Sequence, residues 1–99
     1  MITSKQRAYL RSLANTMETI LIVGKGGISK EVITQADEAL TAREIFKGKV
    51  LETAEEDVRK IASTIASETN AEIVQIIGYK FVLYRKNSKN PKIVLPKSK

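Results

Sequence analysis

The spacing of apolar positions along this chain switches repeatedly between a helical period and the shorter rhythm of strands. Leu10, Leu13, Ala14 and Met17 follow an i, i+3, i+4, i+7 stripe, and Thr3-x-x-Gln6 has capping-box spacing just before it. A first helix is therefore predicted from about Ser4 to Asn15, with Arg7 and Arg11 one turn apart and mostly off the stripe. A second helix opens at Ser29 and buries Val32, Ile33, Ala36 and Leu40, with Ala39 at the margin. A third is predicted to start with the capping box Thr53-Ala54-Glu55-Glu56, its stripe being Val58, Ile61, Ala62, Ile65 and Ala66. Four strands lie between and after them. Ile20–Val23 is a short continuous run, the pattern of a strand covered on both faces. Glu44–Leu51 is mixed, and Gly48 within it suggests a bulge or the close approach of another backbone. Glu72–Ile77 and Tyr79–Arg85 flank Gly78 as a tight antiparallel hairpin.

The order α-β-α-β-α-β-β predicts an α/β fold with crossovers, some parallel pairing and an antiparallel strand at the end. Its 99 residues suit one domain, because halves would be too small to bury adequate cores. We place that domain at residues 1–86, followed by a basic tail, 87–99. In the tail, Asn90-Pro91 and Pro96 surround the apolar patch Ile93-Val94-Leu95, as in a mobile segment or an edge attachment.

Charge sharpens this picture. The net charge of +6 is segregated along the chain: residues 1–17 carry +3, residues 18–72 hold all 11 acids and sum to −4, and residues 73–99 carry +7. If the basic ends converge, they form one electropositive face suited to a polyanion. The blander alternative is a solvated surface with a lysine-rich tail. Cysteine and histidine are both absent, which excludes Cys/His zinc sites and Cys–His or Ser–His nucleophile pairs. Glu55/Glu56 is explained by first-turn helix charges. We therefore expect no catalytic residue, metal or small-molecule cofactor. No apolar run approaches the roughly 20 residues that span a bilayer, and Met1–Lys5 lacks a secretory h-region. With no disulfide framework, a cytoplasmic location without membrane contact is expected.

Gly24-Lys25-Gly26-Gly27 sits between the first strand and the helix opening at Ser29. Glycines let backbone approach a ligand closely, a helix start favours an anion, and Lys25 adds a mobile cation. The local physics points to phosphate. No Gly-Lys-Ser/Thr follows, so this is not a P-loop. Ser29 stands where a dinucleotide fingerprint needs its third glycine, with Lys47 and Lys49 where an acid would be required. Arg85 at the end of the last strand, near Lys80 and Lys86, reads either as a solvated strand edge or as part of a nucleic-acid face. Five aromatics are too few for a base-stacking sheet.

Together these blocks resemble a known family. Lys5-Gln6-Arg7-x-Tyr9-Leu10-Arg11-x-Leu13-Ala14, Val23-Gly24-Lys25-Gly26-Gly27-Ile28, Glu44-Ile45-x-Lys47, Val74-Gln75-x-Ile77-Gly78 and Val82-Leu83-Tyr84-Arg85 look like the CRM domain (chloroplast RNA splicing and ribosome maturation) of single-domain bacterial YhbY-like proteins. The match runs over roughly residues 2 to 85, with the blocks in order. Arg43 stands where members often have His, and Gly48 where they often have an apolar residue. The resemblance implies a four-stranded mixed sheet packed with helices, like the C-terminal domain of bacterial translation initiation factor three. It further implies a KH-like Gly-x-x-Gly loop on the RNA backbone, and an association with ribosomal RNA of large-subunit precursors. Carried onto this chain, the loop is Gly24, Lys25, Gly26 and Gly27 and the strand-end cation is Arg85. The surrounding field comes from Lys5, Arg7, Arg11, Lys30, Lys80 and Lys86. The competing class is a protein-interaction adaptor that docks a basic partner through the acidic middle segment.

Overall fold

The computed structural model describes residues 2–87, 89, 91 and 93–96. Its elements are α1 (Ser4–Ala14), β1 (Thr19–Val23), α2 (Lys30–Arg43), β2 (Ile45–Val50), α3 (Val58–Thr69), β3 (Glu72–Ile77) and β4 (Lys80–Tyr84), the order expected from the sequence. The four strands form one sheet in the order β1-β2-β4-β3. β1 and β2 run parallel, and β4 pairs antiparallel with β2 on one side and β3 on the other.

Because side chains alternate across a strand, each strand divides its residues between two layers. Leu21, Val23, Phe46, Val50, Phe81 and Leu83 pack under α2 and α3 with Ala36, Leu40, Ile61 and Ile65. Ile45, Val74, Val82 and Tyr84 face the other way, onto Leu10 and Ala14 of α1 and onto Ile2. The result is three layers: α2 and α3, the sheet, then α1. The α1 cap forms as the spacing predicted: the Thr3 side chain accepts from the Gln6 amide and the Gln6 side chain from the Thr3 amide. Ser29 likewise caps α2. Gly78, with φ +59°, makes the turn of the β3–β4 hairpin.

Three local expectations are corrected. The third helix starts four residues later than its capping box predicted, with Asp57 as N-cap accepting from the Lys60 amide at 2.8 Å. A helix begun at Thr53 would order Glu55, Glu56 and Asp57 with only Ala54 to bury. Instead the chain makes a turn closed by Ala54 N–H to Leu51 C=O, and Leu51 N–H donates to Val23 C=O. β1 is an edge strand rather than one covered on both faces: Leu21 and Val23 are buried but Ile20 and Ile22 are exposed. Gly48 is required by neither a bulge of its own strand nor another backbone. A Cβ there would meet the ring of Phe81, with Cε1 at 2.8 Å, and that buried ring packs edge-on against Phe46 at a centroid distance of 6.2 Å. The irregularities lie elsewhere, at Ile20 in β1 and Val74 in β3. Gly48→Ala should cost about 2 kcal/mol through overpacking, read as a lowered urea midpoint; unchanged stability would mean that the ring moves aside freely.

Candidate functional site

The Gly24–Gly27 segment is a tight turn. The Gly27 amide donates to the Gly24 carbonyl at 2.9 Å, and Gly27 has φ +66°, a left-handed conformation that suits glycine. Gly26 has an ordinary φ and open space where a Cβ would lie. Lys25 and Gly26 form the exposed crest, and their amides have no hydrogen-bond partner among the described residues. Two residues on, the Ser29 hydroxyl accepts from the Val32 amide at 3.2 Å and opens α2, so the loop delivers the chain to a helix N-terminus. Lys30 is exposed there, beside Glu31 in the same first turn. Exposed donors, a mobile cation and a helix start can hold a phosphate.

The sheet register fixes where the other cations stand. Val23, the last residue before the loop, pairs with Val50 at the end of β2, and Lys80 pairs with the neighbouring Lys49. Lys80 therefore lies at the loop end of the sheet. Tyr84 pairs with Ile45 at the opposite end of β2, about 17 Å away at the usual rise per strand residue. Arg85 is thus placed away from the loop, which corrects the expectation that it shares a rim with Gly24–Gly27.

Nor is its guanidinium free. It donates to Asp37 Oδ1 at 2.6 Å, to the Thr69 carbonyl at 2.9 Å, to the Thr41 hydroxyl at 2.9 Å and to the Asp37 carbonyl at 3.2 Å. It clamps α2 to the C-terminus of α3. The separations of 48, 16 and 44 residues left no sequence signal for this.

Arg7 and Arg11 belong to the α1 layer. Arg7 Nε donates to the Ile73 carbonyl on β3 at 3.3 Å. At about 100° per residue, Gln6 and Arg7 fall on opposite flanks of buried Leu10 and Ala14. Gln6 Nε2 donates to the Pro96 carbonyl at 3.1 Å, so residues 93–96 cover one flank and the arginines occupy the other. Lys5 lies on the exposed side of the helix and Lys86 beside the tail. Ile93 and Leu95 pack against the α1 core. They are held by Glu44, a fully buried carboxylate (0% exposed) that accepts from the Asn87 amide at 2.9 Å and the Ile93 amide at 2.8 Å. Nearby, burial first, and then the Glu44 and Glu72 carboxylates, raise the Tyr84 hydroxyl above the ordinary phenol range.

From the sequence alone, Lys47 and Lys49 speak only against a dinucleotide site and are not counted among the cations of the basic face. Counted within the acidic middle segment, they vanish into its negative sum, although Lys-x-Lys in a strand is the spacing that puts both on one face. The described residues contain no His/Cys/Asp/Glu cluster able to hold a metal and no helix long and apolar enough to cross a membrane.

A three-layer fold of this order, with a glycine turn leading into the second helix, defines a class of small α/β domain. The chain belongs to the CRS1/YhbY (CRM) domain family, whose model matches residues 2–85. It is similar to a Bacillus subtilis protein named "Probable RNA-binding protein YqeI", 42% identical over 96 residues, 97% of this chain and 100% of that one. It is also similar to a Haemophilus influenzae protein named "RNA-binding protein", 34% identical over 97% of this chain and 96% of its own. The solution structure of the Staphylococcus aureus protein SAV1595 superposes with a TM-score of 0.81 at 43% identity, over 97% of this chain and all of that one.

Proposed function

We propose that this protein is a non-catalytic RNA-binding module of the cytoplasm that assists assembly of the large ribosomal subunit. The observation that carries the reading is the Gly24–Gly27 turn, with two exposed, unbonded amides and Lys25 at its crest. Those amides and the start of α2 grip phosphate, while Lys5, Arg7, Arg11, Lys30, Lys80 and Lys86 supply the attracting field. Arg85 acts through the fold, by holding α2 against α3. Phosphate contacts of this kind set register and carry little sequence information, so specificity comes from RNA shape. Support comes from the names of the relatives, and the ribosomal context from the family resemblance.

Gly26 is the clean probe, because a side chain there strains nothing, whereas Gly27 needs its positive φ. Gly26→Val should fold normally and weaken binding to transcribed 23S ribosomal RNA about tenfold, the loss of one backbone bond to a charged oxygen. Unchanged affinity with a native circular-dichroism spectrum would remove the loop from the site. In a sucrose gradient of lysate the native protein should migrate with large-subunit precursors, and migration only as free protein would sink the ribosomal assignment.

A further inference from the structure

α1 covers only part of its side of the sheet. Its core contacts are Ile45, Val74, Val82 and Tyr84, all toward the end remote from the glycine turn or in the middle of the strands. Beyond them the register aligns Ile22 with Lys49, Lys49 with Lys80, and Lys80 with Ile77. This row crosses all four strands. Alternation puts each of its members on the α1 side, since Leu21, Val23, Val50 and Phe81 next to them face α2 and α3. Lys47, two residues from Lys49, lies behind the row on the same face. Ile22 and Ile77 are 59% and 64% exposed, so the floor is open, and Arg7 and Arg11 stand on the flank of α1 that the tail leaves uncovered.

Three features of this floor ask for a ligand. Lys47, Lys49 and Lys80 have no ion-pair or hydrogen-bond partner among the described residues. Glu72, the strand carboxylate on this face, is at the far end and accepts from the Ile2 amide. Lys49 and Lys80 are directly opposed like charges, an arrangement that costs stability in a sheet. An anion lying over the row would offset that repulsion. On β1 the row ends at Ile22, two residues before Gly24.

We propose that this floor is a second RNA-contact surface, continuous with the loop, on which Lys47, Lys49 and Lys80 grip the phosphates of one strand crossing β2 and β4. The inference rests on the RNA-binding reading. No aromatic side chain stands in the row or beside Lys47, so the surface holds backbone and sugar and does not stack bases. Ile22 and Ile77 offer apolar contact at either margin.

The test is the triple variant Lys47→Gln/Lys49→Gln/Lys80→Gln, measured by filter binding to transcribed 23S ribosomal RNA over a series of salt concentrations, beside wild type and Gly26→Val. At about 0.7 per single-strand phosphate contact, the slope of log affinity against log salt should fall by about 2, and affinity near 0.1 M salt about a hundredfold. Relief of the Lys49–Lys80 repulsion should leave the thermal midpoint at or above that of wild type. In parallel, acylation of wild-type lysines should show Lys47, Lys49 and Lys80 protected in the RNA complex, a readout that needs no variant. A triple variant with wild-type slope and affinity, or three lysines unprotected while Gly26→Val still weakens binding, overturns the second surface and leaves the loop standing. Wild-type protein without saturable, salt-dependent binding overturns both.

Discussion

Glu44→Ala is expected to lose about 3 kcal/mol of stability and to release the C-terminal segment from α1. Glu44 is wholly buried, and its two carboxylate oxygens accept from the Asn87 and Ile93 amides. Removing the carboxylate leaves those donors either buried without a partner, at about 1–3 kcal/mol each, or hydrated only if the segment lifts away. In the second case Ile93 and Leu95 also leave the α1 core. Alanine relieves nothing in the backbone, because Glu44 has φ +66° and any Cβ meets the same strain there. Glycine would recover part of that strain and none of the hydrogen bonds. Urea unfolding reads the stability change, and amide exchange at Asn87 and Ile93 reads the release. Amides that stay protected in Glu44→Ala would show that the tail holds itself in place through packing alone.

Arg85→Ala should lower stability by about 2–3 kcal/mol while leaving the salt slope of RNA binding unchanged. The side chain is 24% exposed and bonds Asp37, Thr41 and the Thr69 carbonyl at once. Of these, the ion pair to half-exposed Asp37 contributes least, since solvent screens it. The larger share comes from the carbonyl at the end of α3, which a cation satisfies doubly, as donor and as charge facing the helix dipole. Arg85→Lys should recover little, because one ammonium cannot span this fork. A slope reduced by about 0.7 with stability intact would instead make Arg85 a direct phosphate contact.

The local rules that were legible in the sequence are those whose partners lie close in the chain. Thr3 and Gln6 cap each other, Ser29 bonds three residues ahead, and Gly78 turns a hairpin between two alternating runs. The third helix shows the limit of such rules. Thr53-x-x-Glu56 has the spacing of a cap, yet Asp57 wins because the apolar stripe begins only at Val58. Edge position is another blind spot. Ile20–Val23 has the same composition as a buried strand, and only the pairing order leaves half of it in solvent.

The glycine turn was read correctly as a turn between strand and helix, but its neighbours were not all found. Of the two basic ends, Arg7 and Arg11 lie in the α1 layer and Lys80 on the α1 side of the sheet, but Arg7 is anchored at Ile73, toward the end of the sheet remote from Lys80 and the glycine turn. Arg85 departs from the expected convergence because its side chain turns toward α2 and α3, between which it is held. Lys47 and Lys49 join the face from a stretch that sums to negative charge, so a running total along the chain hid what a period of two would have revealed. Gly48 was noticed for the wrong reason: its vacancy accommodates a ring 33 positions away in sequence.

The meeting of the first turn of α1 with residues 93–96, through Gln6 and Pro96, bears on how tethers could be attached to this unit. Among the described residues, the start of α1 and Pro96 lie at one corner, on the flank of α1 away from Arg7 and Arg11. Copies joined head to tail by short tethers, or a reporter fused at either extremity, would cluster at that corner and leave each basic floor unobstructed. Copies tethered there would each present one such floor, and the proposed hold on a long polyanion would grow with copy number.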